Sequence, residues 1–167
     1  MSQDILARAK PRNKGFWYED FDIGRVFVHH WGRTVSQAEN ALFTTLTLHF
    51  NPQYTNIEFA KQMGHRDTPV NPLLVFNTVF GLSVQDLSEH GTAFLGVNEL
   101  RHTAVFYPGD TIFARSTVIE RRLSGSKKGM GIVGWHTQGF NQRDELVCDF
   151  KRSNLVFLRD ATQDTGQ

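Results

Sequence analysis

The chain has 167 residues, of which 40% are apolar and 21% carry a charge, and its formal net charge is +1. This is the size and composition of one globular domain, so the sequence argues against a second full domain and gives no sign of a nucleic-acid or membrane partner. Because Cys148 is the single cysteine, an intramolecular disulfide and a Cys-x-x-Cys site are excluded, and we interpret it as a buried thiol.

The two ends of the chain differ in character from its centre. Residues 1–14 are polar and basic without periodicity, which predicts a flexible N-terminal tail, and residues 161–167 predict a C-terminal tail. Residues 15–160 should form the folded domain. The first element within it is an extended pattern over residues 25–34, which predicts a strand.

A helix should follow this strand at once. Ser36 is followed three residues later by Glu39, the spacing of a capping box, and the pattern continues to about His49. Pro52 then ends or interrupts the helix, because proline lacks a donor and restricts the residue before it.

A second, short helix is predicted to begin at about Asn56. Thr55 and Glu58 have the spacing of another capping box, and Gly64 is a natural stop.

The third helix is the longest. Asn71 can cap it, Pro72 falls at the first helical position, and Gly91 is predicted to end it. Apolar residues cover more than one of its faces, so this helix should be largely buried. They are Leu73, Leu74, Phe76, Val79, Phe80, Leu82, Val84 and Leu87.

The remaining chain has the alternating pattern of strands. Four candidates, 93–105, 111–124, 129–141 and 145–158, are separated by short turn-like sequences, which predicts a four-strand antiparallel meander. One early strand, then helices, then a meander indicates an α+β fold. A sheet wrapped around a single long central helix is the hotdog arrangement.

Three glycines in this region imitate a nucleotide-binding motif. Gly129, Gly131 and Gly134 satisfy Gly-x-Gly-x-x-Gly, but a dinucleotide fingerprint requires a strand before the motif and a helix after it. Here the motif begins a β-branched run, so we interpret it as part of a strand.

One segment carries a recognisable chemical signature. Residues 48–54 read Leu-His-Phe-Asn-Pro-Gln-Tyr, and Ala60 follows in the next helix. This resembles the Gly-Asp-x-Asn-Pro-x-His signature of the MaoC-like, R-specific enoyl-CoA hydratase family. Asn51 matches the family asparagine, whereas His49 stands at the family aspartate and Tyr54 at the family histidine.

Further segments are similar to one branch of this family, the mesaconyl-CoA hydratases, also called β-methylmalyl-CoA dehydratases. In chain order they read Phe-Trp-Tyr-Glu-Asp-Phe at 16–21, Pro-Val-Asn at 69–71, Phe-Tyr-Pro-Gly-Asp-Thr at 106–111 and Gly-Phe-Asn-Gln-Arg at 139–143. The resemblance covers residues 16–158 and implies a hotdog fold that binds an acyl thioester.

The resemblance implies roles for the motif residues. Hydration of an unsaturated thioester needs a base for water, an acid for Cα, and donors at the thioester oxygen. His49 would act as the base, Tyr54 would donate a proton or orient water, and Asn51 would orient water or the thioester. At the start of the long helix, the Leu73 N–H or the Asn71 amide would serve the oxygen.

Each of these residues also has a structural interpretation. His49 could simply end a helix, Tyr54 could be an interface aromatic, and Asn51 before proline is ordinary turn chemistry.

Substrate contacts are expected from Val70, Asn71 and Leu73, and from Lys127 and Lys128, whose turn could meet the phosphates of CoA. A solvated hairpin tip is the alternative for the two lysines. The histidines have no convincing metal-ligand spacing, so we expect neither a metal nor a cofactor beyond the CoA or carrier-protein thioester.

The predicted function is therefore that of a lyase acting on an enoyl-CoA or 3-hydroxyacyl-CoA, with a mesaconyl-type branched acyl group as one candidate. A hotdog thioesterase and a non-catalytic thioester-binding or partner subunit are the alternatives. We expect a homodimer or a higher oligomer, because an isolated hotdog sheet leaves an edge strand unpaired. The apolar runs are too short for a membrane span and no signal peptide is recognisable, so a cytoplasmic location is expected.

Overall fold

The computed structural model describes residues 15–162, so the predicted N-terminal tail and residues 163–167 lie outside the described residues. Residues 15–162 contain three α-helices: α1 (Gln37–Leu46), α2 (Ile57–Gln62) and α3 (Pro72–Leu87). Within residues 15–162, no helix combines the length and the apolar character needed to cross a bilayer.

Six strands form one antiparallel sheet whose path is β1-β4-β5-β6-β3, with β2 also paired to β4. The strands are β1 (Val26–Val28), β2 (Arg33–Thr34), β3 (Gly91–His102), β4 (Thr111–Leu123), β5 (Met130–Asn141) and β6 (Leu146–Phe157). The sheet curves around α3, which confirms the predicted α+β hotdog fold.

The predicted four-strand meander is wrong at its first connection. β4, β5 and β6 are consecutive neighbours, but β3 pairs with β6 at the far edge, with Val97 opposite Arg152. The connection 103–110 is not a hairpin, because it carries Phe106 into the core, where its carbonyl accepts a hydrogen bond from Val70 N–H across 2.8 Å. The chain therefore passes the start of α3 and enters the sheet at the opposite side.

The predicted first strand, 25–34, is divided into two short strands that both pair with β4. Between them His29 turns inward and is 3% exposed. Gly32 packs so closely on Phe113 that a Cβ there would lie 2.4 Å from the ring. The chain bends between the two strands, where His29 is buried and Gly32 packs on Phe113, so residues 25–34 do not form one regular strand.

The ends of the first two helices follow the local signals with two differences. The Ser36–Glu39 capping box is present, but α1 ends at Leu46, three residues before His49. The cap of α2 is the side chain of Asn56, which accepts from two backbone N–H groups, so the predicted capping box from Thr55 is wrong. Gly64 follows α2 with φ +88°, as expected of a helix stop.

Helix α3 begins as predicted and ends earlier. Asn71 caps it, Pro72 is its first residue, and it ends at Leu87, while Gly91 is already the first residue of β3. Val79 lies on its buried face and packs against Gly139 of the sheet. A Cβ at Gly139 would lie 2.4 Å from Val79 Cγ2. The helix and the sheet can approach this closely only where the strand carries no side chain.

Two predictions about single residues are confirmed. Cys148 is fully buried, and its burial raises the pKa of the thiol to about 12. The three glycines of the imitated nucleotide motif lie in or beside β5, and Gly131 lies under the ring of Tyr18.

Candidate active site

The motif segment is held by its own backbone after α1. Leu48 has φ +56°, a left-handed conformation that turns the chain, and His49 N–H donates to Thr44 O across 3.0 Å. Asn51 is exposed and its Oδ1 accepts from Gln53 N–H, capping a short 3-10 turn at Pro52–Tyr54. Asn51 therefore performs turn chemistry, and its side chain lines no described cavity.

Asn71 is the centre of the site and is fully buried. Its backbone N–H donates to Asn40 Oδ1 across 2.8 Å. Its side-chain Oδ1 accepts from Leu73 N–H across 3.0 Å, and its Nδ2 donates to Nδ1 of His49 across 2.9 Å and to Thr44 Oγ1 across 3.3 Å. The structure thus joins two predicted site residues that lie 22 positions apart in the sequence.

Asn40 is a member of this network that sequence reasoning missed. It is fully buried in α1, and its Nδ2 donates to the carbonyls of Tyr54 and Pro69. The sequence signal that could have identified Asn40 is its polar side chain on the face of α1 that contacts the motif. Asn40 fixes the motif segment against the entry to α3.

The start of α3 offers no free N–H to a ligand. Leu73 N–H is bonded to the Asn71 side chain, and the N–H groups of Leu74 and Val75 both donate to Asn71 O. Leu73 N–H and the Asn71 amide, the two donors expected to serve a thioester oxygen, are thus both engaged within the chain, and their role toward a thioester stays a prediction. The first helical residue, Pro72, has no N–H.

Tyr54 stands beside His49 and opens onto a cavity. The two rings meet edge to face, with centroids 5.3 Å apart. Tyr54 is 8% exposed, and within residues 15–162 its hydroxyl has no hydrogen-bond partner. The cavity has a volume of about 300 Å³ and is lined by Gln53, Tyr54, His65, Pro69, Val70, Pro72, His102, Thr103, Ala104, Val105 and Phe106.

Two histidines in this wall, His65 and His102, were not predicted as site residues. Nδ1 of His65 lies 3.2 Å from the Tyr107 hydroxyl. The imidazole of His102 has no hydrogen-bond partner among the described residues, and desolvation by the surrounding protein lowers its pKa below 6.5. No local spacing relates these residues to the motif, because β3 brings His102 to the cavity from another part of the chain.

A buried carboxylate supports the same end of the fold without entering the cavity. Asp110 accepts hydrogen bonds from Gln142, Arg143 and the N–H of Tyr107, and it forms an ion pair with Arg66 across 3.5 Å. Burial alone would raise the pKa of Asp110, but these hydrogen bonds hold it below the ordinary value.

A second depression runs between α3 and the edge strand β3. Its volume is about 520 Å³, and apart from one asparagine its lining is apolar: Leu73, Phe76, Asn77, Phe80, Phe94, Val97 and Leu100. Leu73 thus contributes a side chain to this apolar groove, in addition to its N–H in the helix cap.

Lys127 and Lys128 lie apart from the other predicted site residues. Both are exposed in the turn between β4 and β5. β4 begins at Thr111, just after the connection 103–110 that lines the cavity. It has 13 residues and spans roughly 40 Å at about 3.3 Å per residue, and the lysines follow its other end. Within one chain, the structure brings together His49, Tyr54, Val70 and Asn71 but not the lysine turn.

Comparisons with known proteins identify the family of this chain. The family model described as "Mesaconyl-CoA hydratase" matches residues 1–167. The chain is 38% identical over 148 residues to the β-methylmalyl-CoA dehydratase of Chloroflexus aurantiacus, covering 89% of this chain and 42% of that protein. It therefore spans less than half the length of this curated relative.

Solved structures show the same fold. A MaoC domain protein from Chloroflexus aurantiacus superposes with a TM-score of 0.85 at 37% identity, covering 91% of this chain and 43% of that one. A Mycobacterium tuberculosis protein described as a double hotdog fold superposes with a TM-score of 0.76 at 24% identity, covering 86% of this chain and 44% of its own. On the match to its whole length, the chain belongs to the mesaconyl-CoA hydratase family.

Proposed function

We propose that this chain supplies the active site of a lyase that adds water to an enoyl-CoA thioester or removes it from the 3-hydroxyacyl-CoA. A mesaconyl-type branched acyl group is the proposed substrate, by analogy with the names of the relatives. The observation that carries the proposal is the contact of His49, Tyr54 and Asn71 beside a cavity of about 300 Å³.

The cavity has the chemical groups that this reaction needs. Proton transfer at neutral pH is suited to imidazole; His102 presents one in the wall, and the ring of His49 contacts that of Tyr54. The Tyr54 hydroxyl can donate a hydrogen bond to an oxygen where negative charge develops. Pro69, Val70 and Pro72 supply apolar surface for the acyl group.

The lining argues against the thioesterase alternative. A hotdog thioesterase would use a carboxylate near the start of the helix, and no Asp or Glu is among the residues that line this cavity. Asp67, the nearest candidate in sequence, accepts a hydrogen bond from Thr68 N–H across 2.6 Å and lies outside the lining.

We further propose that a second copy of the chain pairs along β3. This strand has 12 residues and lies at the edge of the sheet. Beside it the groove against α3 is apolar, and Phe94 and Leu95 are 54% and 47% exposed. An apolar edge of this length is covered in stable proteins, most simply by two-fold pairing.

Turnover of a small panel of thioesters tests the function. The protein is incubated with mesaconyl-CoA and with crotonyl-CoA while enone absorbance and free thiol are followed. Loss of absorbance without thiol release is expected. Thiol release would favour the thioesterase, and binding without either change would favour a non-catalytic subunit.

Two histidine variants complete the experiment. His49→Ala should lower the rate at least ~10²-fold, the typical loss of a proton-transfer group or of an oxyanion donor. His30→Ala removes an exposed imidazole outside the cavity and should leave the rate unchanged. Equal rates for both variants would mean that the residues of the motif do not take part in the reaction.

A further inference from the structure

We propose that His49 acts as a hydrogen-bond donor to the thioester oxygen through its Nε2–H, and that Asn71 is the positioning residue that fixes this tautomer. The inference rests on the proposed hydration of a thioester and changes the role of His49 within it, from base to donor.

The first step is the orientation of the Asn71 side chain. Leu73 N–H can only donate, so the atom that faces it across 3.0 Å must be the oxygen Oδ1. The nitrogen Nδ2 is then the atom that faces His49 and Thr44. The helix cap therefore determines which end of the amide meets the imidazole.

The second step is the tautomer of His49. Asn71 Nδ2 carries only donors, so Nδ1 of His49, 2.9 Å away, must accept with its lone pair. The proton of the neutral ring is then on Nε2. A ring in this state cannot take a proton from water at Nε2, and its Nδ1 lone pair is already occupied.

The third step concerns the thioester oxygen, which needs donors as enolate charge develops. The N–H groups of Leu73, Leu74 and Val75 are all used within the start of α3. Beside the motif, Nε2–H of His49 and the hydroxyl of Tyr54 have no partner among the described residues, and their rings are in contact, while the imidazole of His102 in the cavity wall is also unpartnered.

The division of roles follows from the reaction. The oxygen of water bonds to Cβ while a base takes its proton, and the π electrons move through Cα onto the thioester oxygen. Protonation of Cα then restores the carbonyl. His49 and Tyr54 would stabilise the charged oxygen, and the proton would pass to an imidazole in the cavity wall, where His65 and His102 stand.

The tautomer can be measured on the folded wild-type protein. In two-bond 1H–15N spectra of 15N-histidine-labelled protein, His49 should show a protonated Nε2 and a bare Nδ1. Methylsuccinyl-CoA, the saturated analogue of mesaconyl-CoA, should shift the Nε2–H resonance downfield. A protonated Nδ1 with a bare Nε2, or no response to the bound analogue, would overturn the inference whether or not the protein turns over enoyl-CoA.

A change at Asn71 tests the positioning role. Asn71→Asp keeps an oxygen for Leu73 N–H but presents an acceptor to His49, so Nδ1 should become protonated. Thr44→Val removes the other acceptor of Asn71 Nδ2, and the tautomer should stay as in the wild type. An unchanged His49 spectrum in Asn71→Asp would contradict the role of Asn71.

Glutamine at His49 separates a donor from a base. His49→Gln can accept from Asn71 and donate to the substrate, but it cannot take a proton from water. We expect it to keep the wild-type rate within about tenfold, the scale of one neutral hydrogen bond. His49→Leu should lose ~10²–10³-fold. Equal losses of ~10²–10⁴-fold in both variants would identify His49 as the base, whereas an inert wild type would reject the hydratase function itself.

Discussion

Nδ1 of His29 lies 2.6 Å from a carboxylate oxygen of Asp86, and this contact joins the segment after β1 to the C-terminal half of α3. On its other side, Nε2 lies 2.9 Å from Ser116 Oγ in β4. Desolvation lowers the pKa of His29 below 6.5, although Asp86 acts in the opposite direction, and Arg152 and His30 add smaller lowering effects. His29 is thus held neutral between the helix and the sheet.

The burial of His29, which outweighs its contact with Asp86, predicts a pH-dependent stability. Because the unfolded chain protonates His29 at a higher pH than the folded protein does, lowering the pH favours the unfolded chain. The free energy of unfolding should keep its full value above pH ~6.5 and fall below that pH, by up to about 1.4 kcal/mol per pH unit. His29→Gln should flatten this dependence. Urea unfolding between pH 7.5 and pH 5 measures the slope, and equal slopes for both proteins would contradict the assignment.

The close approach of α3 to the sheet predicts opposite effects of two glycine substitutions. Gly139→Ala places a methyl group 2.4 Å from Val79 Cγ2 and should lower the free energy of unfolding by about 1–3 kcal/mol. Gly81→Ala lies in α3 with no atom within 4 Å of the new Cβ, and it should raise stability by about 0.5–1 kcal/mol. Urea titrations compare the two. A neutral Gly139→Ala would mean that the helix can move away freely.

The proposed pairing along β3 predicts an oligomer that a single charge disrupts. Phe94→Lys puts a charge into the groove beside the edge strand and should shift the protein from dimer to monomer, with a mass near 19.0 kDa by light scattering. Ile119→Lys is the control, since Ile119 is 43% exposed in β4, away from that edge. A wild type that is monomeric at micromolar concentration would reject the dimer.

The free hydroxyl of Tyr54 predicts that its removal lowers the rate without lowering stability. Tyr54→Phe should leave the unfolding temperature unchanged, since the hydroxyl has no hydrogen-bond partner among residues 15–162. The rate should fall by ~10²-fold or more, because the hydroxyl is one of the two donors proposed for the charged thioester oxygen. Steady-state kinetics and thermal unfolding measure the two effects, and an unaltered kcat would remove Tyr54 from the reaction.

The sequence alone determined the features that depend on neighbouring residues. The capping box at Ser36, the cap and proline at the start of α3, and three strands of β4–β6 were predicted because each rests on hydrogen bonds or side-chain periodicity within a short stretch. The motif around Asn51 and Pro52 indicated the family for the same reason, since its residues are adjacent in the chain.

Only the tertiary structure decided the order of the sheet and the chemistry of the site. β3 pairs with β6 rather than with β4, and the connection between β3 and β4 buries Phe106 in a core whose members come from distant parts of the chain. The meeting of His49 with Asn71, and the arrival of His102 at the cavity, likewise require contacts between distant segments. The tautomer of His49 follows from where one amide oxygen points, which the three-dimensional network of hydrogen bonds fixes and the order of residues does not.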